Sequence, residues 1–178
     1  KLIKNLILLD QKNQGHGKTI CDGYIYASEK DYKFIFQTDS DGQFFSSDFS
    51  KIWENRKKND HDIILGERYK RNDPLLRIFL SKVILRTLLK VFFKKNINDP
   101  NIPYRLINSN FMRDFLTINP SRFIAPNIIM SIHAKKIFFT KVKHAKRMHG
   151  EIKWPLKKLF KFGISLFKDL KDYYSYFK

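Results

Sequence analysis

Apolar positions along the chain fall into short blocks separated by turn residues, and the order of the blocks predicts an α/β protein. Leu6 to Leu9 form an apolar run inside residues 5–10, which reads as a strand, and the turn-rich Asn13-Gln14-Gly15-His16-Gly17 leads into a helical pattern over 18–28. Residues 33–38 are aromatic and β-branched and stop at Asp39-Ser40-Asp41-Gly42, the pattern of a buried strand ending in a turn. Ser46 or Ser47 can cap a helix to about residue 58, and 62–66 make a further buried strand. The order βαβαβ predicts a Rossmann-like, mostly parallel sheet with helices on both faces.

The second half is read in the same way. Pro74 suits a first helical position, and apolar residues recur at helical spacing over 75–93. Residues 99–103, with two prolines, form a loop, 105–107 a short extended piece and 109–116 a helix. Pro126 starts a helix to about residue 134, residues 136–142 alternate as a strand, and a basic, aromatic helix spans 155–177. Residues 1–150 are read as one domain and 151–178 as a basic amphipathic tail helix. The chain opens at Lys1 rather than Met, directly into an apolar run, which predicts truncation at the amino end.

Charge narrows the partners. The 178 residues carry 35 Lys and Arg against 17 Asp and Glu, a net charge of +18 that attracts nucleic acid, anionic membrane or phosphorylated molecules. Nucleic acid is disfavoured, because no RNP-type aromatic pattern, Cys/His finger spacing or long basic block occurs. The apolar stretch 75–93 holds Arg77, Lys82, Arg86 and Lys90, each costing about 2.5–3.5 kcal/mol at a bilayer centre, so it does not span a membrane. Cys21, the single cysteine, reads as a small buried residue and points to a reducing compartment.

Two carboxylates in the Asp39-Ser40-Asp41 turn can face one Mg²⁺ or Mn²⁺, which takes hard oxygen ligands and keeps room for phosphate oxygens. Chance alone gives about one Asp pair at this spacing in a chain of this composition, and Asp60-His61-Asp62 is a second. Position separates them, since ligands of open α/β sheets bind beyond the carboxyl ends of strands and Asp60 precedes one. The Asn13 to Lys18 turn can hold a phosphate on backbone N–H groups, but a plain strand-to-helix turn explains it better. Arg77 and Ser81, four residues apart, share one helical face and can hold a phosphate; a solvated arginine is the simpler alternative. The five histidines lack ligand spacing and read as solvated or structural.

In order, Asn13 to Gly17, Thr38-Asp39-Ser40-Asp41-Gly42-Gln43, Gly66-Glu67-Arg68-Tyr69, Arg77 with Ser81, Asp99 to Arg105, Ala125-Pro126-Asn127 and Arg147-Met148-His149-Gly150 resemble the family 2 glycosyltransferases, in the dolichyl-phosphate mannose synthase-like branch. The resemblance covers about residues 6–154 and implies the GT-A fold. By it, Asp39, Asp41 and Gln43 would hold the metal and donor diphosphate. Arg147 would close on that diphosphate, while Arg68, Arg77 and Ser81 would bind the acceptor phosphate. Asp99 matches the acidic residue near the sugar, a general base where the acceptor is a hydroxyl. The family's first strand with its Pro-x-Tyr-Asn-Glu motif has no counterpart in the chain. Phe44-Phe45 stands where the family has His-Pro, Glu67 where it has Ser, and Ile152 where it has Ser.

The expectation is therefore an inverting hexosyltransferase-type enzyme, passing a sugar from a nucleotide-diphosphate sugar to a polyprenyl phosphate or a saccharide. It would be cytoplasmic and peripheral, on the anionic inner face of the membrane. The competing expectation is a basic binding module for nucleic acid or anionic membrane without catalysis.

Overall fold

A computed structural model describes residues 5–57, 60–69, 80–145 and 156–177, the side chains of 80–82 and 156 excepted. Helix α1 (His16–Ser28) buries Gly17, Cys21 and Tyr24, one face at helical spacing, and leads to strand β1 (Phe34–Thr38). A 3-10 turn (Ser46–Asp48) opens helix α2 (Phe49–Asn55), and strand β2 (Ile63–Arg68) follows. A π-helical turn (Leu80–Leu85) runs into helix α3 (Arg86–Phe93). Strand β3 (Tyr104–Asn108), helix α4 (Ser109–Thr117), helix α5 (Pro126–His133), strand β4 (Ile137–Val142) and helix α6 (Leu156–Tyr176) complete the order.

The four strands form one sheet in the order β1-β3-β2-β4. Successive residues of a strand face opposite sides, so the unbroken burial of residues 63–66 and 104–107 means that both faces of the central strands are covered. The core is a single cluster that also takes in Leu166, Leu170 and Tyr173 of α6.

Three sequence expectations change. Residues 5–10 form no strand, and Leu6 to Leu9 are exposed; a strand needs a neighbouring edge for its hydrogen bonds, and this segment pairs with neither edge of the sheet. The sheet is mixed rather than mostly parallel: β3 runs antiparallel to β1 and β2, and only β2 and β4 pair in parallel. The short extended piece expected over 105–107 is in fact this inserted strand. Its chain enters beside the end of β2, where Asp99 meets Arg68, and so has to run back the other way. Neither Ser46 nor Ser47 caps α2, whose start has no side-chain cap bond and is instead tightened by the 3-10 turn.

Two local packings explain glycines in the sequence. At Gly17 an added Cβ would lie 3.0 Å from Ile124 O and 3.1 Å from Phe123 O, so the start of α1 sits directly against the segment before α5. Together with Asn13 Oδ1, which accepts the Gly15 N–H at 3.0 Å, this accounts for the glycine-rich turn without a phosphate. Gly42 adopts φ +74°, the left-handed conformation that lets the chain fold back after Asp41.

Candidate functional site

The sheet has two poles. At one, β1 and β2 end, β3 begins and β4 ends, as the register Thr38↔Tyr104 and Arg68↔Val142 shows. Asp39, Asp41 and Gln43 follow β1 here, Arg68 closes β2, and Asp99 lies in the loop before β3. Five candidate residues spread over some sixty positions of sequence therefore gather at the pole made by the carboxyl ends of β1, β2 and β4 and the amino end of β3. Arg77 and Arg147 lie outside the described residues, as does the side chain of Ser81, whose backbone belongs to the π-helical turn.

The carboxylate turn is pinned rather than loose. Asp41 Oδ1 accepts the Gln43 N–H at 3.2 Å. Gln43 Nε2 donates to Ala145 O at 3.1 Å, and the Ala145 N–H donates back to Gln43 O at 2.9 Å. Two further ties hold the same crossing: Asp48 Oδ2 accepts the Lys143 N–H at 2.7 Å, and the Phe44 ring packs between Tyr104 and His144, with centroids at 5.0 and 5.3 Å. The Phe44-Phe45 pair thus has a packing role, and Phe45 O also accepts the Tyr104 hydroxyl at 3.1 Å. Burial opposes the charge of the Asp48 carboxylate, but hydrogen bonds from Lys51 and the Lys143 N–H outweigh it and hold Asp48 below its ordinary value.

Arg68 and Asp99 occupy one another. Arg68 Nε meets Asp99 Oδ2 at 2.6 Å and Nη2 meets Oδ1 at 2.8 Å, a bidentate pair whose side chains are only 10% and 7% exposed. Beside it Asn98 Nδ2 donates to Glu67 Oε1, so two consecutive residues of β2 are fastened to two consecutive residues of the loop. In this arrangement both carboxylate oxygens of Asp99 accept from Arg68.

Beneath the loop sits a residue to which sequence reasoning gave no role. Arg105 is fully buried, and its guanidinium donates to Ile102 O (Nε, 2.9 Å), Asn127 O (Nη1, 3.1 Å) and Pro100 O (Nη2, 3.3 Å). Burial lowers its affinity for the proton, against which Tyr24, Asp99 and Asp39 act in turn. The Tyr24 hydroxyl bridges the side-chain amides of Gln37, on β1, and Asn127, on α5. Strand β1, the 99–103 loop and the start of α5 are thereby locked together under the carboxylates. The sequence signal for this lock was an arginine inside an otherwise apolar strand, Tyr-Arg-Leu-Ile, a charge that has to find carbonyls once buried.

The opposite pole looks different. Two cavities of about 360 and 300 Å³ open there and share Asp60 and Asn108. Several of their polar groups serve local structure: Asp62 Oδ2 accepts the N–H groups of Lys135 and Lys136 at 2.7 and 2.8 Å, and Asn108 caps α4. His133 meets Asp114 Oδ2 and the Tyr173 hydroxyl, both at 2.9 Å, joining α4, α5 and α6. Nineteen residues separate His133 from Asp114, so no spacing rule could have paired them.

Cys21 is buried on α1, as expected, and burial pushes its thiol up to about 12, which leaves it protonated and unreactive. Among the described residues no helix is long and apolar enough to cross a membrane, and no three His, Cys, Asp or Glu side chains gather as a metal cluster. Compared with models of known protein families and with curated proteins, the chain matches none.

Proposed function

We propose that the chain is the catalytic domain of an inverting glycosyltransferase of GT-A type, acting on a nucleotide-diphosphate sugar at the surface of a membrane. The observation that carries this reading is the gathering of Asp39, Asp41, Gln43, Arg68 and Asp99 at the pole where α/β sheets bind ligands. Two carboxylates and an amide in a tight turn are hard oxygen donors, suited to Mg²⁺ or Mn²⁺. Because two carboxylates are fewer than a closed protein cage needs, the set fits a cation that shares its remaining positions with water and substrate phosphate. Such an ion, when bound, would neutralise charge on the leaving diphosphate.

The chain's own residues supply position. Gln43 fixes the turn against Ala145 through one pair of hydrogen bonds, two positions before Arg147 in the sequence. A hydroxyl acceptor would need Asp99 as base, yet its oxygens are engaged by Arg68. An acceptor phosphate is already ionised and needs no base, and this favours a polyprenyl phosphate over a saccharide. Arg77 and Ser81 would then bind the acceptor phosphate, with Arg68 joining them only if it left Asp99.

Titration calorimetry with nucleoside diphosphates tests the reading. Binding should require Mn²⁺ or Mg²⁺, should be lost in Asp41→Ala and should survive in Asp60→Ala. Equal effects of the two substitutions, or binding indifferent to metal, would sink it.

A further inference from the structure

Helix α6 carries two separate apolar faces, and among the described residues only one packs into the core. Leu166, Leu170 and Tyr173 are buried in the core, and Asp169 Oδ2 accepts the Ile124 N–H at 2.6 Å on the same side. Phe160, Ile164 and Phe167 recur at i, i+4 and i+7 on another face and are 73%, 45% and 53% exposed. At 3.6 residues per turn this second stripe lies roughly a third of a turn from the buried one. Lys157, Lys161 and Lys168, all exposed, form a row along its flank. Further down, Tyr174 lies beside the stripe and meets Phe92 of α3, ring centroids 6.4 Å apart, while Val91 and Phe92 are themselves exposed. The apolar line therefore crosses from α6 onto a second helix.

We propose that this stripe and its lysine row form the surface through which the protein lies on an anionic bilayer, with Phe160, Ile164 and Phe167 inserted among the acyl chains and the lysines at the headgroups. This rests on the peripheral placement proposed above and assigns it to particular side chains. Charge complementarity selects the occupant. The chain carries +18, and the exposed rings alternate with lysines whose ammonium groups reach phosphate while their stems stay in the interface. A second copy of the same chain would bring lysine rows of like charge together.

Flotation with vesicles tests the assignment. The protein should float with vesicles of phosphatidylcholine and phosphatidylglycerol, lose that binding as salt is raised, and stay behind with phosphatidylcholine alone. Replacing Phe160, Ile164 and Phe167 together by Glu should weaken binding on the order of tenfold or more. Phe160→Glu alone, at the most exposed position, should weaken it measurably with the fold intact by circular dichroism. Unchanged flotation of these variants, or equal binding to neutral vesicles, would overturn the proposal. So would a wild-type dimer that the triple variant disperses without any vesicle binding. The catalytic reading is tested separately: metal-dependent diphosphate binding without lipid should be untouched by the stripe variants, and Asp41→Ala should float like the wild type.

Discussion

Two Asp-x-Asp segments, Asp39-Ser40-Asp41 and Asp60-His61-Asp62, lie at opposite poles of the same sheet and in different surroundings. The second spends Asp62 on two backbone N–H groups at the start of β4 and leaves Asp60 beside Lys136 at 3.5 Å, 84% exposed. The first sits in a turn that Gln43, Asp48 and Phe44 hold from outside and Arg105 supports from below. Identical spacing thus has no fixed meaning. Cavity volume is a poor guide as well, since the two described cavities open at the other pole, where Asp62, Asn108 and His133 are engaged in local structure. A candidate site is distinguished here by where in the fold its polar groups come together, at the ends of β1 and β2, rather than by spacing or by volume.

The comparison is broken most easily at Arg105. Arg105→Ala should cost about 3–5 kcal/mol, because it leaves the carbonyls of Pro100, Ile102 and Asn127 buried without their donor. Arg105→Lys should recover only part of this, since an ammonium cannot span the fork. Urea unfolding followed by tryptophan fluorescence measures both. An Arg105→Ala midpoint equal to the wild type would mean that the lock under the carboxylates bears no load.

Next in size is the Arg68–Asp99 pair. Truncating either partner alone strands a nearly buried charge and should cost about 3 kcal/mol, while replacing both with leucine should cost much less. The double-mutant cycle reports the coupling. Additive losses would show that the two side chains act independently, and would restore Asp99 as an available base.

Most elements at both poles were legible in the sequence, because each was short, apolar and bracketed by turn residues. The strand over 33–38, the helices over 109–116 and 126–134 and the strand over 136–142 all form within about two residues of their expected limits. What failed was pairing. An apolar run such as Leu6 to Leu9 looks the same whether or not an edge is present to receive it. Nothing local in Tyr104 to Asn108 says that it inserts antiparallel between two parallel strands. The candidate residues could be named from motif order, but their contacts could not. That Arg68 would grip Asp99, or that Arg105 would hold up the loop, depends on side chains 31 residues apart or on carbonyls exposed only by folding.

A smaller effect, with a pH signature, belongs to Asp48, which ties α2 to the segment after β4. Its folded-state affinity for the proton is lowered, so its stabilisation is fully present above the ordinary value of 3.8 and is lost as pH falls below it. Asp48→Asn should cost about 1–3 kcal/mol at neutral pH, through weaker hydrogen bonds to Lys51 and the Lys143 N–H. The gap from wild type should close in acid as the wild-type carboxyl protonates. A gap that stays constant from pH 7 down to about pH 3 would mean that the carboxylate charge contributes nothing to this crossing.

The smallest predicted change sharpens the contrast within the second Asp-x-Asp segment itself. Asp60 touches one lysine across 3.5 Å in open water, where salt and side-chain entropy cancel most of the attraction. Asp60→Ala should therefore shift stability by less than about 0.5 kcal/mol. Asp62 is different, because its Oδ2 receives two backbone N–H groups that would otherwise wait unpaired at the entry to β4. Asp62→Ala should cost about 1–2 kcal/mol, as loss of a cap does elsewhere. If this pair held a cation instead, both substitutions would matter equally, and wild-type stability would rise with added Mn²⁺ in a manner that either one abolishes. Thermal melts of the two variants with and without Mn²⁺ decide the matter. A metal-dependent rise lost in Asp60→Ala would move the candidate site to the other end of the sheet.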